Sequence, residues 1–171
     1  MTSGCVEESW LASVSLEPMR EEDLAAVLEI DHLSFPSSWS PDSYLRDLRN
    51  RNSHYVVARL AGEIIGYAGM WIMADEAHIS TLAVHPSRRR AGLGKRLLSH
   101  LLAAARERGA SEVTLEVREA NAAARSLYES FGFRGIVGES GYMRYATEED
   151  FEERYYTPGE LAVRPVRWED Y

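Results

Sequence analysis

Cysteine is nearly absent from this 171-residue chain, with Cys5 the single example. One thiol excludes an internal disulfide framework and a cysteine-built zinc cluster, leaving only a lone reactive thiol near the N-terminus as a use for it. Long apolar runs are missing too. Nothing approaches the roughly 20 consecutive residues that a membrane-spanning helix needs, and the first residues lack the basic stretch and apolar core of a secretory signal. A cytoplasmic protein without membrane contact is therefore expected. Basic charge is scarce: 27 Asp and Glu outnumber 19 Lys and Arg, for a formal charge of −8. Neutralising a phosphate backbone takes a basic face, so direct nucleic-acid binding is not expected. The acidic excess suits cationic acceptors such as amines or basic peptides through long-range steering; it is equally what keeps an ordinary protein soluble. Aliphatic and aromatic residues make up 45% of the chain, enough for a packed core in a chain with the length of one domain.

Residues 1–13 carry no pattern and read as an N-terminal extension; residues 14–171 read as a single domain. Val14-Ser15-Leu16-Glu17 suits a short strand ended by Pro18. From Glu21 to Ile30 a helix is indicated, with Leu24, Val27, Leu28 and Asp31 at helical spacing and acidic residues in its first turn. Ser40 is placed to cap a second helix that opens at Pro41. Residues 54–59 and 63–73 are rich in Val, Ile, Tyr and Trp, with Leu60-Ala61-Gly62 as a hairpin turn; Ala77–Val84 makes a third strand. Leu93, Leu97, Leu98, Leu101, Leu102 and Ala105 line one stripe of a helix spanning 93–108, with Gly109 as its C-terminal stop. A strand at 113–117 and a helix at 120–130 follow. Strand, crossover helix and strand imply locally parallel pairing. The fold class expected is α+β: one central mixed sheet, helices on both faces. Farther on, Tyr142–Ala146 suggests a strand, Glu148–Arg154 an acidic helical turn and Leu161–Val166 a last strand.

Two stretches carry chemistry. In the first, Arg88-Arg89-Arg90-Ala91-Gly92-Leu93-Gly94-Lys95 opens the longest helix. A glycine turn there exposes unpaired N–H groups at the positive end of the helix dipole. Gly92 and Gly94 lack a Cβ, so a diphosphate can approach the main chain. The residues alone also fit a plain basic turn, since a bare G-x-G is a weak signal. In the second, Thr114 and Glu116 share one face of a strand while Val113, Leu115 and Val117 share the other. A carboxylate on a central strand points to a cleft rather than open water. Asn121 and Tyr128, seven residues apart, fall on one face of the helix that follows. An ordinary surface glutamate and a core tyrosine are the alternative.

Arg89-x-x-Gly92-x-Gly94, directly after a strand ending Leu82-Ala83-Val84-His85-Pro86, resembles the (Gln/Arg)-x-x-Gly-x-(Gly/Ala) signature of the GCN5-related N-acetyltransferases. Leu115-Glu116-Val117-Arg118 with Asn121 and Ala124, followed by Leu127-Tyr128 and Gly132-Phe133, resembles more narrowly the ribosomal-protein-alanine N-acetyltransferases, the RimI type. That resemblance implies an acyl-CoA N-acyltransferase fold and acetyl-CoA as co-substrate, without a metal. It carries cofactor contacts onto Leu82, Ala83, Val84, Arg89, Arg90, Ala91, Gly92, Leu93, Gly94, Lys95 and Asn121. It makes Glu116 the general base for an acceptor amine, whose ammonium form (pKa about 7.7–8.0) has no lone pair to attack with. Tyr128 becomes the donor to the departing CoA thiolate.

The implied acceptor is a protein N-terminus, that of a ribosomal protein beginning with alanine. A small amine, a lysine side chain, or a non-catalytic acyl-CoA-binding module are the other readings. Phe35-Pro36 with Trp39-Ser40, and Asp75-Glu76-Ala77-His78, resemble acceptor-side segments, which would give Phe35, Trp39 and Glu76 contacts to substrate. The Phe-Pro-Trp cluster fits a packed helix corner equally well, and His78 a satisfied strand residue. Tyr155-Tyr156-Thr157-Pro158 resembles the family's entrance element and brings in Tyr156. It is displaced here by the acidic stretch at 148–153, with Leu161 where an aspartate is common and Arg164-Pro165 interrupting the next strand.

Overall fold

The computed structural model describes residues 10–137 and 142–146. Seven strands and four α-helices follow in order: β1 (Ser15–Pro18), α1 (Leu24–Ser34), α2 (Pro41–Arg49), β2 (Ser53–Leu60), β3 (Glu63–Met73), β4 (Glu76–Val84), α3 (Leu93–Glu107), β5 (Glu112–Arg118), α4 (Ala122–Ser130), β6 (Arg134–Val137) and β7 (Tyr142–Ala146). Single 3-10 turns occupy Glu21–Asp23 and Pro86–Arg88. Two compact units divide the chain. Among the described residues, one holds those through Trp71 together with Ser80–Ala104; the other holds Ile72–Ile79 and those from Ala105 onward.

In the first unit β2 pairs antiparallel with β1 (Leu16 opposite Ala58) and with β3 (Leu60 opposite Glu63). The β2–β3 turn is the two residues Ala61 and Gly62, with φ of 49° and 83°. Left-handed backbone at both positions is what a tight two-residue hairpin requires, because its twist then matches that of the strands. Met19, Leu24, Val27, Ile30, Tyr44, Tyr55, Val57, Tyr67 and Ala83 form the core here. The apolar stripe of α3 is buried as its spacing indicated: Leu93, Leu97, Leu98 and Leu101 are each at most 1% exposed. Gly66 on β3 lets α3 come close, since a methyl at that position would press on the Ala83 carbonyl and on the methyls of Leu93 and Leu97.

Asp31 lies on the buried stripe of α1 at 1% exposure, and every oxygen it buries is matched. Tyr67 donates its hydroxyl to Oδ1 at 3.1 Å and the Trp39 backbone N–H donates to Oδ2 at 3.1 Å. Tyr44 in turn donates to the Tyr67 hydroxyl at 3.2 Å. Desolvation raises the Asp31 pKa above the usual carboxylate value, and the Tyr67 and Trp39 hydrogen bonds pull it back in part. This polar network pins the Phe35–Ser40 corner to β3. Ser40 caps α2 as anticipated, its Oγ accepting from Ser43 N at 3.2 Å.

In the second unit the first half of β4 runs parallel to β5, with Glu76 opposite Glu112 and Ile79 opposite Leu115. Parallel neighbours need a crossover connection, and α3 lies in that connection. β5 then pairs antiparallel with β7, and β7 with β6. The result is the mixed α+β class expected. Gly109 stops α3 at φ 85°, its N–H bonded to the Arg106 carbonyl at 3.0 Å.

Several boundaries differ from the sequence reading. The first helix begins as a 3-10 turn and reaches Ser34, and Trp10 and Leu11 are already helical. β6, directly after Gly132-Phe133, had no counterpart in the reading. The segments 148–154 and 161–166 lie outside the described residues.

Candidate active site

The glycine turn lies wholly in the first unit. β4 ends at Val84, the 3-10 turn Pro86–Arg88 follows, and His85 caps it by accepting from Ser87 N at 3.1 Å. The chain then passes through two left-handed residues, Arg90 at φ 63° and Gly92 at φ 96°. Arg96 N–H closes the first helical hydrogen bond onto the Gly92 carbonyl at 3.2 Å. The N–H groups of Leu93, Gly94 and Lys95 therefore have no acceptor within the helix. Three adjacent donors at the positive end of a 15-residue helix can hold a phosphate group.

The arginines around this turn have distinct jobs. Arg89 donates from Nε to the Val84 carbonyl at 2.9 Å and from Nη2 to Ser34 Oγ at 3.1 Å, bracing the turn to β4 and to the end of α1. Arg88 stacks on the Trp10 ring at 5.2 Å. Arg96 donates to the Leu11 carbonyl at 2.7 Å. Among the described residues the exposed Arg90 and Lys95 have no partner, so they are the cations left over for a ligand. Val84, expected to offer a backbone group to a cofactor, has its carbonyl engaged by Arg89. Leu82 and Ala83 sit in the same strand, Ala83 with its side chain in the core.

The second unit holds the other residues marked by the sequence. On β5 the exposure alternates at the end of the strand: Val117 is buried, whereas Glu116 and Arg118 are exposed. Thr114, on the Glu116 face, is fully buried. Its hydroxyl donates to Glu76 Oε1 at 3.1 Å and lies 2.8 Å from His78 Nδ1. Having given its one proton to Glu76, Thr114 must accept from His78, which places the imidazole proton on Nδ1. Glu76, His78 and Thr114 thus form one chain of polar groups on the face that carries Glu116. Asn121 caps α4, its Oδ1 accepting from Ala124 N at 3.2 Å. Tyr128 is 7% exposed and packs edge-on against Phe133 at 6.0 Å; burial pushes its phenol pKa well above the usual value. The shared helix face does not give a shared environment, for Asn121 is exposed and Tyr128 buried.

Of the acceptor-side residues, Phe35 is half-buried against the core and Trp39 is 36% exposed, its ring 5.5 Å from that of Tyr44. Tyr156 lies outside the described residues. Sequence reasoning overlooked Trp10, Leu11, Ser34 and Arg96 at the glycine turn. Only the Arg-rich run could have signalled them, because arginines crowded at one turn draw acceptors or rings from elsewhere in the chain, as Arg88 and Arg89 do.

The sequence pattern of the acetyltransferase (GNAT) family matches residues 24–133, a stretch that runs through both units. The ribosomal protein bS18-alanine N-acetyltransferase of Escherichia coli strain K12 is 32% identical over 130 residues, covering 75% of this chain and 86% of that protein. The solved ribosomal-protein-S18-alanine N-acetyltransferase from Escherichia coli matches with a TM-score of 0.70 at 26% identity, over 84% of this chain and 99% of that one. PaiA N-acetyltransferase from Thermoplasma acidophilum, solved with coenzyme A, shares the fold at a TM-score of 0.72 and 19% identity, over 80% of this chain and 99% of that one. With the family pattern over most of its length and the glycine turn opening α3, this chain belongs to the acetyltransferase (GNAT) family and is an acetyl-CoA-dependent N-acetyltransferase.

Proposed function

We propose that the chain moves the acetyl group of acetyl-CoA onto the N-terminal α-amine of a protein, with the N-terminal alanine of a ribosomal protein as the acceptor, in the cytoplasm. The observation that carries the acceptor is the 32% identity over 130 residues to the E. coli enzyme. The cofactor assignment is supported by the geometry of the glycine turn. The N–H groups of Leu93, Gly94 and Lys95 take the pyrophosphate, Arg90 and Lys95 add charge, and the absent Cβ of Gly92 keeps the main chain accessible. Arg89 and Ala91 shape the turn. Leu82, Ala83 and Val84 lie along the pantetheine arm, and Asn121 adds a contact to CoA while capping α4.

Glu116 takes the proton that the acceptor amine must shed, directly or through a water. The amine nitrogen then bonds to the thioester carbonyl carbon, the carbon–sulfur bond breaks, and CoA leaves as a thiolate; the new amide nitrogen gives up its extra proton to solvent, and the thiolate takes one from solvent. Tyr128 donates its O–H toward the departing sulfur. Its raised pKa keeps that proton in place across the working pH range. A phenol of that kind holds its proton more tightly than a thiol does (pKa about 8.5), so its contribution is hydrogen-bond donation to the developing thiolate. Transfer is direct, without an acyl-enzyme. Phe35, Trp39, Glu76 and Tyr156 are the residues proposed to meet the acceptor, within one acetyltransferase domain from residue 14 onward. A single glutamate suits an α-amine better than a lysine side chain, whose pKa is near 10.4.

Mass spectrometry of acetyl transfer to peptides beginning Ala, Ser or Gly, to an N-terminally blocked lysine peptide and to spermidine tests this. The free Ala terminus should be modified fastest. Faster transfer to the blocked lysine peptide or to spermidine would overturn the acceptor assignment.

A further inference from the structure

We propose that Trp10 and Leu11 are positioning residues for acetyl-CoA, setting the glycine turn from outside it; this rests on the cofactor reading above. A turn holding left-handed Arg90 and Gly92 has to be kept in shape by its surroundings. Arg89 supplies one brace, to Val84 and Ser34. The others come from the segment before β1. Its helical turn is tied down by Ser13 N to the Trp10 carbonyl at 3.0 Å and Val14 N to the Leu11 carbonyl at 3.2 Å, and Val14 is buried at 3% exposure.

From that anchored position the segment touches the turn three times. Trp10 lies under the Arg88 guanidinium at 5.2 Å. The Leu11 carbonyl, already accepting from Val14, uses its second lone pair for Arg96 at 2.7 Å. Leu11 Cδ2 stands 3.6 Å from where a Gly92 Cβ would be, filling the space beside the residue with the least side-chain support. Arg88 flanks the turn on one side and Arg96 belongs to the first turn of α3, so the segment grips both ends of the phosphate-binding backbone. Neither Trp10 nor Leu11 carries a charge that could itself bind phosphate, so their effect on the cofactor has to pass through the turn.

The test compares Trp10→Ala, Leu11→Ala and the double variant with the parent chain by calorimetric titration of acetyl-CoA and by steady-state kinetics. Each single change should raise the acetyl-CoA Kd and KM about two- to fivefold, the range of a half-exposed cation–π or packing contact, with kcat and the acceptor KM unchanged. Trp10→Phe, which keeps a ring under Arg88, should return to within about twofold of the parent. An unchanged acetyl-CoA Kd in a folded double variant overturns the proposal, as does a fall in kcat at constant KM, which marks loss of folded protein. A parent chain that binds no acetyl-CoA overturns the cofactor reading as well, and that outcome is visible before any variant is made.

Discussion

The glycine turn and the β5–α4 segment answer two different demands with two kinds of construction. The turn is built from main chain. Its donors are backbone N–H groups, its odd geometry sits in Arg90 and Gly92, and its arginines largely brace it: Arg89 to Val84 and Ser34, Arg96 to Leu11. In the β5–α4 segment the backbone is ordinary strand and helix, and the chemistry rests on single side chains in contrasting surroundings. Glu116 is exposed, while Tyr128 is buried with its pKa pushed up. Main-chain sites bind by shape and tolerate side-chain change, whereas sites of single groups fail when one atom is replaced. Substitutions in the first region should therefore act on acetyl-CoA affinity, and those in the second on turnover.

The largest effect expected is from Glu116→Gln, which keeps the shape and removes the base. Turnover with an Ala-first peptide should fall about 100-fold in steady-state assays. Tyr128→Phe should lower kcat about tenfold through loss of one donor to the leaving sulfur; an unchanged kcat in both variants would sink the assigned roles. Next comes Gly92→Ala. Its new methyl would meet Leu11 only at an ordinary contact distance of 3.6 Å, so the cost is in the backbone at φ 96°. About fivefold weaker acetyl-CoA binding with an unchanged kcat is expected, and a matching loss in kcat would blur the division between the regions.

A separate effect, on stability and not on acetyl transfer, is expected at high pH. Burial pushes Tyr44 up to about 12 and raises Tyr55, Tyr67 and Tyr128 further. Each folded pKa lies above the unfolded value near 10, so the stability these groups carry is fully present below pH 10. It is lost as pH rises, because the unfolded chain ionises first. Urea denaturation should give a constant unfolding free energy from pH 8 to about 9.5 and a decline above 10. Tyr128→Phe should make that decline shallower.

Much of this architecture was legible in the sequence because it follows from periodicity. The stripe from Leu93 to Leu102 fixed α3 and its buried face, Ala61-Gly62 the hairpin, and the strand–helix–strand run the parallel pairing of β4 with β5. Glu116 was singled out by the resemblance of Leu115-Glu116-Val117-Arg118 to the RimI-type pattern; the residues alone left an ordinary surface glutamate open. What stayed hidden depends on contacts between residues far apart in the chain. Asp31 fell on the apolar stripe of α1, yet Tyr67, its hydroxyl partner, is 36 residues away. Arg89 read as a phosphate contact, and its two acceptors in Val84 and Ser34 could be seen only in three dimensions. Trp10 and Leu11 lie in a segment too short to show a period. β6 is four residues long, below the length at which alternation becomes informative.

The division between the two regions is tested most directly by titrating acetyl-CoA calorimetrically into Glu116→Gln and Gly92→Ala side by side. The account predicts a parental Kd for Glu116→Gln, despite its lost turnover, and a Kd raised about fivefold for Gly92→Ala. A Kd that rises in Glu116→Gln as much as in Gly92→Ala would contradict it.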